Sequence, residues 1–241
     1  MSRKADLRAA CWQAIRDAGA ARFPGVEGRI PNFVGAEAAA ERLAATQAWA
    51  QAHVLKCNPD SPQRPIRHRA LKEGKLVLMA VPRLRTEAPF LALDPSALDR
   101  GALWAASSAK GADVMGVPTS LEDVPPIDLI VTGCVGVTRQ GARLGKGGGY
   151  SDLEYALLRE LGRVHADTPV ATSVHDCQVL PARTIPMLPH DVSLDVVVTA
   201  TKTIRCKRDY ERPQGVLWDS LDPEKQEAIP VLRPGPSGLT Q

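Results

Sequence analysis

The sequence predicts an α/β fold, built mainly as a parallel sheet with helices on both faces. Three observations carry that expectation. Short apolar runs alternate with helix-like segments along the chain. The runs are continuously apolar, as in strands buried on both faces. A glycine-rich stretch, residues 141–149, lies between an apolar run and a helix, where open α/β sheets place their ligand loops.

The elements follow in order. Residues 3–18 read as a basic amphipathic helix with Leu7, Ala10, Cys11, Ala14 and Ile15 on one side. After a loop from Phe23 to Phe33, residues 36–49 form an alanine-rich helix carrying Leu43. His53 to Cys57 is a short strand. Residues 62–73 are helical, with Pro65 in the first turn and Gly74 as the stop. Leu76 to Val81 is a second strand, and Phe90 to Leu93 a third candidate, at an edge. Residues 94–126 read as irregular, with Pro118, Pro125 and Pro126. Ile127 to Val137 is the central strand. Ser151 to Val164 is an amphipathic helix with Leu153, Leu157, Leu161 and Val164 on one face. Ser151 and Glu154 have capping-box spacing at its start. Val170–Val174 and Leu194–Thr199 complete the strands. The expected division is an α/β domain over residues 1–206 and a partly irregular C-terminal extension over 207–241, richer in proline and charge.

Composition narrows the function classes. The chain has 241 residues, 44% hydrophobic and 24% charged, an ordinary globular balance. No apolar run approaches a membrane span, and the polar start lacks a signal-peptide core. A cytoplasmic, non-membrane protein is expected. A net charge of +3 and few aromatics give no footprint for nucleic acid. Five scattered cysteines without a Cys-x-x-Cys read as reduced core thiols. No two histidines share a zinc-ligand spacing.

The informative segment is Gly141-Ala142-Arg143-Leu144-Gly145-Lys146-Gly147-Gly148-Gly149-Tyr150-Ser151-Asp152. Glycines let backbone N–H groups approach an oxyanion, and a helix N-terminus adds free donors and a positive dipole end. The anion this predicts is a nucleotide phosphate. The spacing fits neither the Walker loop nor the dinucleotide fingerprint. Arg143 and Lys146 sit within the loop and favour phosphate contact. Asp152 either complements the helix dipole or holds Mg²⁺ on a phosphate. Arg3, Lys4 and Arg8 read by pattern as a solvated helix face. His190-Asp191 is either a turn or the source of a second carboxylate for the same metal.

Together these segments resemble the 5-formyltetrahydrofolate cyclo-ligase family. Arg143 to Asp152 matches its Arg-Leu-Gly-x-Gly-x-Gly-Tyr-Tyr-Asp loop except at Ser151. Ile185 to Asp195 resembles its Pro-x-x-x-x-Asp segment, Lys4 and Arg8 its basic first helix, and Gly74-Lys75 to Pro82-Arg83 a fourth shared element. The resemblance implies a NagB/RpiA/CoA-transferase-like α/β fold, the cofactors ATP and Mg²⁺, and a reduced folate as small-molecule substrate in one-carbon metabolism. It implies phosphorylation of the formyl oxygen of 5-formyltetrahydrofolate, then ring closure to 5,10-methenyltetrahydrofolate. By position, Lys4, Arg8, Arg143, Gly145, Lys146, Gly147, Gly148, Gly149 and Tyr150 would bind ATP, and Asp152 and Asp191 the metal.

The chain departs from the family pattern at three places. Asn58 to Pro65 replaces a Glu-x-x-Thr-like segment of the folate pocket, Val137-Thr138 replaces Phe-Asp, and Ser151 replaces the second tyrosine. Gly28 to Phe33, Asn58 to Arg69 and the tail from Trp218 to Arg233 resemble a cyclo-ligase-like paralogous branch linked to thiamine metabolism. Three functions therefore stand side by side: the cyclo-ligase, an ATP-using enzyme with another small substrate, and a nucleotide-binding module without turnover.

Overall fold

The apolar runs fold as strands whose alternate side chains enter two separate cores, one on each face of a sheet. On Leu76–Ala80, for example, Val77 and Met79 enter one core and Leu78 and Ala80 the other. The computed structural model describes residues 3–207 and 209–236. Within them the chain runs α1 (Arg3–Asp17), α2 (Ala36–Ala44), α3 (Gln47–Gln51), β1 (Val54–Cys57), α4 (Arg64–Lys72), β2 (Leu76–Ala80), β3 (Phe90–Leu93), α5 (Leu103–Ala106), α6 (Ala109–Met115) and β4 (Val117–Thr119). It continues through β5 (Leu129–Val131), β6 (Gly136–Thr138), β7 (Arg143–Leu144), α7 (Tyr150–Glu160), β8 (Val170–Ser173), β9 (Val179–Leu180), β10 (Val196–Val198), β11 (Thr203–Arg205) and α8 (Pro223–Ala228).

The main sheet has the order β11-β10-β8-β5-β1-β2-β3-β4. Strands β10, β8, β5, β1 and β2 are parallel, and β11, β3 and β4 are antiparallel additions at the two ends. Helices α2 to α6 cover one face through Leu43, Trp49, Ile66, Leu71, Leu103 and Ala112. Helix α7 covers the other through Leu153, Leu157 and Leu158. The α/β expectation, with helices on both faces, therefore holds.

Several local expectations are corrected. The central strand is not continuous. β5 ends at Val131, and the chain leaves the sheet to form β6 in a second sheet of order β7-β6-β9. Gly133 and Gly136 permit this course. A Cβ at Gly133 would stand 2.9 Å from the Asp60 carboxylate, and one at Gly136 2.8 Å from Cys11 Sγ. The glycine loop consequently follows β7 rather than the central strand. β3 is not an edge, because β4 pairs beyond it, with Pro118 in the outermost strand where a missing N–H is tolerated. Residues 94–126 are not irregular throughout, since they contain α5, α6 and β4. Gly111 lies where a Cβ would be 1.8 Å from the Ala105 carbonyl oxygen, so the close passage of these two short helices needs a residue that reads as a breaker. The alanine-rich helix divides at Thr46, whose hydroxyl accepts from Trp49 N and caps α3.

Helix α1 packs through Cys11 and Ile15 near the small sheet, which carries its N-terminal turn to the glycine loop. The C-terminal extension is not peripheral. Val216, Ile229 and Leu232 are buried in the same core as Leu157 of α7. Glu160 accepts from Val216 N at 2.8 Å and Trp218 Nε1 at 3.2 Å. All five cysteines are free thiols, and burial pushes those of Cys11 and Cys134 up to about 11. No helix among the described residues is long and apolar enough to cross a membrane.

Candidate functional site

A cleft of about 450 Å³ opens at the carboxyl ends of β1, β2 and β5. Asn58, Pro59 and Asp60 line it after β1, Val81, Pro82 and Arg83 after β2, and Gly133 after β5. The glycine loop and the first turn of α7 close the opposite side. This is where a parallel sheet leaves room, because successive strands deliver their following loops to the same edge.

The loop is built by glycine conformations that other residues disfavour. Gly147 has φ 114° and Gly149 φ 67°. Gly149 is the residue that enters α7, so Ser151 does not cap the helix as its spacing suggested. Ser151 lies within the first turn, its hydroxyl 2.8 Å from Thr132 Oγ1 and donating to Asn58 Oδ1 at 3.3 Å. Glu154 closes no capping box. It is buried and bound to Lys56 of β1, itself only 1% exposed. The helix stops at Leu161 because Gly162 takes φ 66°.

Three of the sequence-predicted cations, Arg8, Arg143 and Lys146, touch or lie in this loop, and Lys4 meets Asp191. Arg8 Nε donates to the Gly145 carbonyl at 2.7 Å, and its guanidinium lies beside Gly147. Lys4 pairs with Asp191 at 2.5 Å. Arg143 is buried and donates to Asp152, to Thr132 Oγ1 at 3.2 Å and to the Gly133 carbonyl at 3.3 Å. Burial is the largest single influence and opposes its charge, but Asp152, Cys134 and Asp191 together hold the guanidinium above its ordinary range. Lys146 is half-exposed and reaches across the cleft to Asp60 Oδ1 at 3.1 Å. Arg3 is exposed, the solvated face expected of it, whereas Lys4 and Arg8 are partly buried and engaged.

Asp152 and Asp191 are brought together. Asp152 Oδ1 accepts from Val192 N at 2.9 Å, directly beside Asp191. Bonded geometry then keeps the two carboxylates within about 8 Å of each other. Asp191 Oδ2 also accepts from Leu188 N at 2.7 Å and Asp191 N donates to the Leu188 carbonyl at 2.9 Å, so these residues form a turn. Among the described residues no three His, Cys, Asp or Glu side chains are grouped to hold a metal unaided. The two carboxylates suit a hard cation that takes its remaining ligands from phosphate and water. The bonds named above use Oδ1 of Asp152 and Oδ2 of Asp191, and Oδ1 of Asp191 stands 3.9 Å from His190 Nε2.

Sequence reasoning missed Lys56, Glu154, Asp60 and Lys225. Lys56 interrupts an apolar run, the one signal it offered. Arg83 carried a different signal, Pro82-Arg83 at a strand end. It lines the cleft with φ 63°, a backbone region that costs a non-glycine residue about 1 kcal/mol or more.

A strained arginine, a glycine loop and paired carboxylates thus meet at the carboxyl edge of the parallel sheet of an α/β protein. Residues 1–200 match the 5-formyltetrahydrofolate cyclo-ligase family, and the chain belongs to it. It is 38% identical over 231 residues to the methenyltetrahydrofolate synthase domain-containing protein of Mus musculus, covering 95% of this chain and 62% of that protein. For the Homo sapiens protein of the same description the identity is 36% over 233 residues, covering 95% and 60%. The chain thus spans about three fifths of the length of these relatives. The NMR structure of Aquifex aeolicus 5,10-methenyltetrahydrofolate synthetase shares the fold, with a TM-score of 0.54 at 21% identity over 87% of this chain and 95% of that one.

Proposed function

We propose that the chain binds MgATP at the glycine loop and acts as a cyclo-ligase on a reduced folate, converting 5-formyltetrahydrofolate to 5,10-methenyltetrahydrofolate. One observation carries this reading. Arg8 from α1, Arg143 from β7 and Lys146 meet at a single glycine loop at a helix start, and Lys4 pairs with Asp191, whose neighbour Val192 binds Asp152 in that helix's first turn. In this reading the ATP phosphates lie along residues 145–150, held by backbone N–H groups and these cations. The reaction transfers a phosphoryl group to the formyl oxygen; attack by N10 then closes the ring and expels phosphate. The demand on the protein is to hold charge in place as it moves. Arg143, fixed by Asp152, and Lys146, on a mobile-length side chain, supply that positive charge. Asp152 and Asp191 would hold Mg²⁺, which offsets phosphate charge when bound. Ile30, Ala80, Val81 and Pro82 form an apolar wall suited to a substrate ring.

A second reading keeps the nucleotide chemistry and changes the substrate, for example to a thiamine-related one. The buried Lys56–Glu154 pair favours it. Glu154 lines the cleft near Asn58 and Ser151, two positions where the sequence departs from the family pattern, and together they give the substrate side a polar floor. A spectrophotometric assay for methenyltetrahydrofolate with MgATP, beside a calorimetric ATP titration, separates the readings. Product formation supports the cyclo-ligase. Binding without product supports another substrate or a nucleotide-binding module. No heat at millimolar ATP removes all three.

A further inference from the structure

Lys225 of α8 lies outside the residues that match the family, yet it holds the glycine loop. Its ammonium donates to the Gly148 carbonyl at 2.7 Å and stands 4.8 Å from the centre of the Tyr150 ring. A Cβ at Gly149 would be 3.1 Å from it. Gly148, Gly149 and Tyr150 line the main cleft, and Lys225 lines an adjoining cavity of about 230 Å³, formed with the extension, that shares Gly149 and Asp152 with it.

The stereochemistry of the peptide gives this contact a consequence. In a trans peptide the carbonyl and the following N–H point in opposite directions. Holding the Gly148 carbonyl toward Lys225 turns the Gly149 N–H away from the lysine. Glycines on both sides of this bond offer little resistance to rotation. Rotation of the peptide by half a turn would put an oxygen where the donor stands and repel an anion. The lysine can act as a fixed point because α8 is itself anchored. Asp222 caps it by accepting from Glu224 N at 3.0 Å, and Ile229 and Leu232 beyond it are buried against the core of α7.

We propose that Lys225 is a positioning residue that latches the Gly148–Gly149 peptide with its N–H toward the bound phosphate. The proposal rests on the phosphate-loop reading above. It also gives the extension a role. A match over 95% of the chain leaves out only about ten residues, so the similarity to the synthase-domain relatives extends well into the extension.

The test uses the full chain with Lys225→Met and Lys225→Arg. Titrations with MgATP, tripolyphosphate and adenosine are combined with melting curves and the amide resonance of Gly149. Lys225→Met should weaken MgATP and tripolyphosphate by the same factor, about tenfold. Adenosine affinity and melting temperature should stay near wild type. Lys225→Arg should restore phosphate binding, and the Gly149 amide should shift in the Met variant but not in the Arg variant. Equal MgATP affinity in wild type and Lys225→Met overturns the latch and leaves the nucleotide reading standing. Parallel loss of adenosine affinity overturns it in favour of general structural damage. A wild-type chain that binds neither MgATP nor tripolyphosphate removes the phosphate-loop reading, and the latch with it.

Discussion

Lys146 and Asp60 show how individual side chains occupy the cleft. Their contact is half-exposed at the lysine end, and such pairs contribute about 1 kcal/mol or less. A phosphate group can therefore take Lys146 from Asp60. Lys146→Ala should weaken MgATP binding roughly tenfold to hundredfold, the loss of one charge-assisted bond of about 1.5–3 kcal/mol. Arg3→Ala, on the exposed side of α1, should have no effect, and Asp60→Asn should tighten binding by removing a competing carboxylate. Calorimetric titration of the three variants checks the order. Lys56 and Glu154 behave differently because both are buried. Taking away one partner leaves an uncompensated charge, so Lys56→Met should destabilise the fold by about 3–5 kcal/mol. Lys56→Met combined with Glu154→Leu should recover most of that loss. Urea unfolding of both single variants and the double variant measures the coupling. If Lys56→Met alone unfolds at the wild-type urea concentration, the buried pair is not the constraint described here.

At the scale of elements, the strand–loop–helix order was legible where local pattern and tertiary environment agree. Leu76–Ala80 is apolar on both faces, Val170–Ser173 starts with Val170 in one core and Ala171 in the other, and both form strands near the expected residues. The glycine run stood out because a helix entry with positive φ demands it. The break between β5 and β6 was hidden, because Thr132 to Val135 remains apolar enough to read as strand while its course is set by Asp60, Ile30 and Cys11, distant in sequence. Glu154 was misread for a related reason. Its spacing from Ser151 fits a capping box, but its partner is Lys56, 98 residues away. The contacts of Arg8 with the loop and of Lys4 with Asp191 were visible only through family resemblance, since helix pattern alone reads both as solvated. Gly141 offers an element-level test. It turns the β6–β7 hairpin at φ 88°, and a Cβ there would stand 2.4 Å from the Leu194 carbonyl oxygen. Gly141→Ala should cost more than about 1–3 kcal/mol, because strain and collision act together. Gly19→Ala, with φ 61° and open space around it, should cost less. The two denaturant midpoints should differ clearly, and equal midpoints would show that the hairpin relaxes around the added methyl group.

For the whole molecule, the segment after residue 206 shares a core with the helix α7 that precedes it. The expected α/β domain places α7 on its sheet, but part of the core behind that helix comes from the extension. Val216, Ile229 and Leu232 are 8%, 1% and 0% exposed there. Arg212 Nη2 donates to Asp195 at 2.6 Å, and its guanidinium also reaches the carbonyls of Thr168 and Ser193, which ties the extension to the strand region on the other side. Burying an apolar side chain of this size stabilises by roughly 1.5–3 kcal/mol. Losing three is comparable with the whole stability of a domain, about 5–15 kcal/mol. A chain ending at Cys206 should therefore fail to unfold cooperatively in urea and should bind a hydrophobic dye, as expected when packing is lost but secondary structure remains. The full chain carrying Lys225→Met keeps all three apolar anchors and should unfold cooperatively near wild type. That contrast separates the two contributions of the extension: its apolar residues complete the fold, and its lysine acts on the loop. A truncated chain with a sharp, wild-type-like transition would instead make residues 1–206 an autonomous domain and the extension an accessory to it.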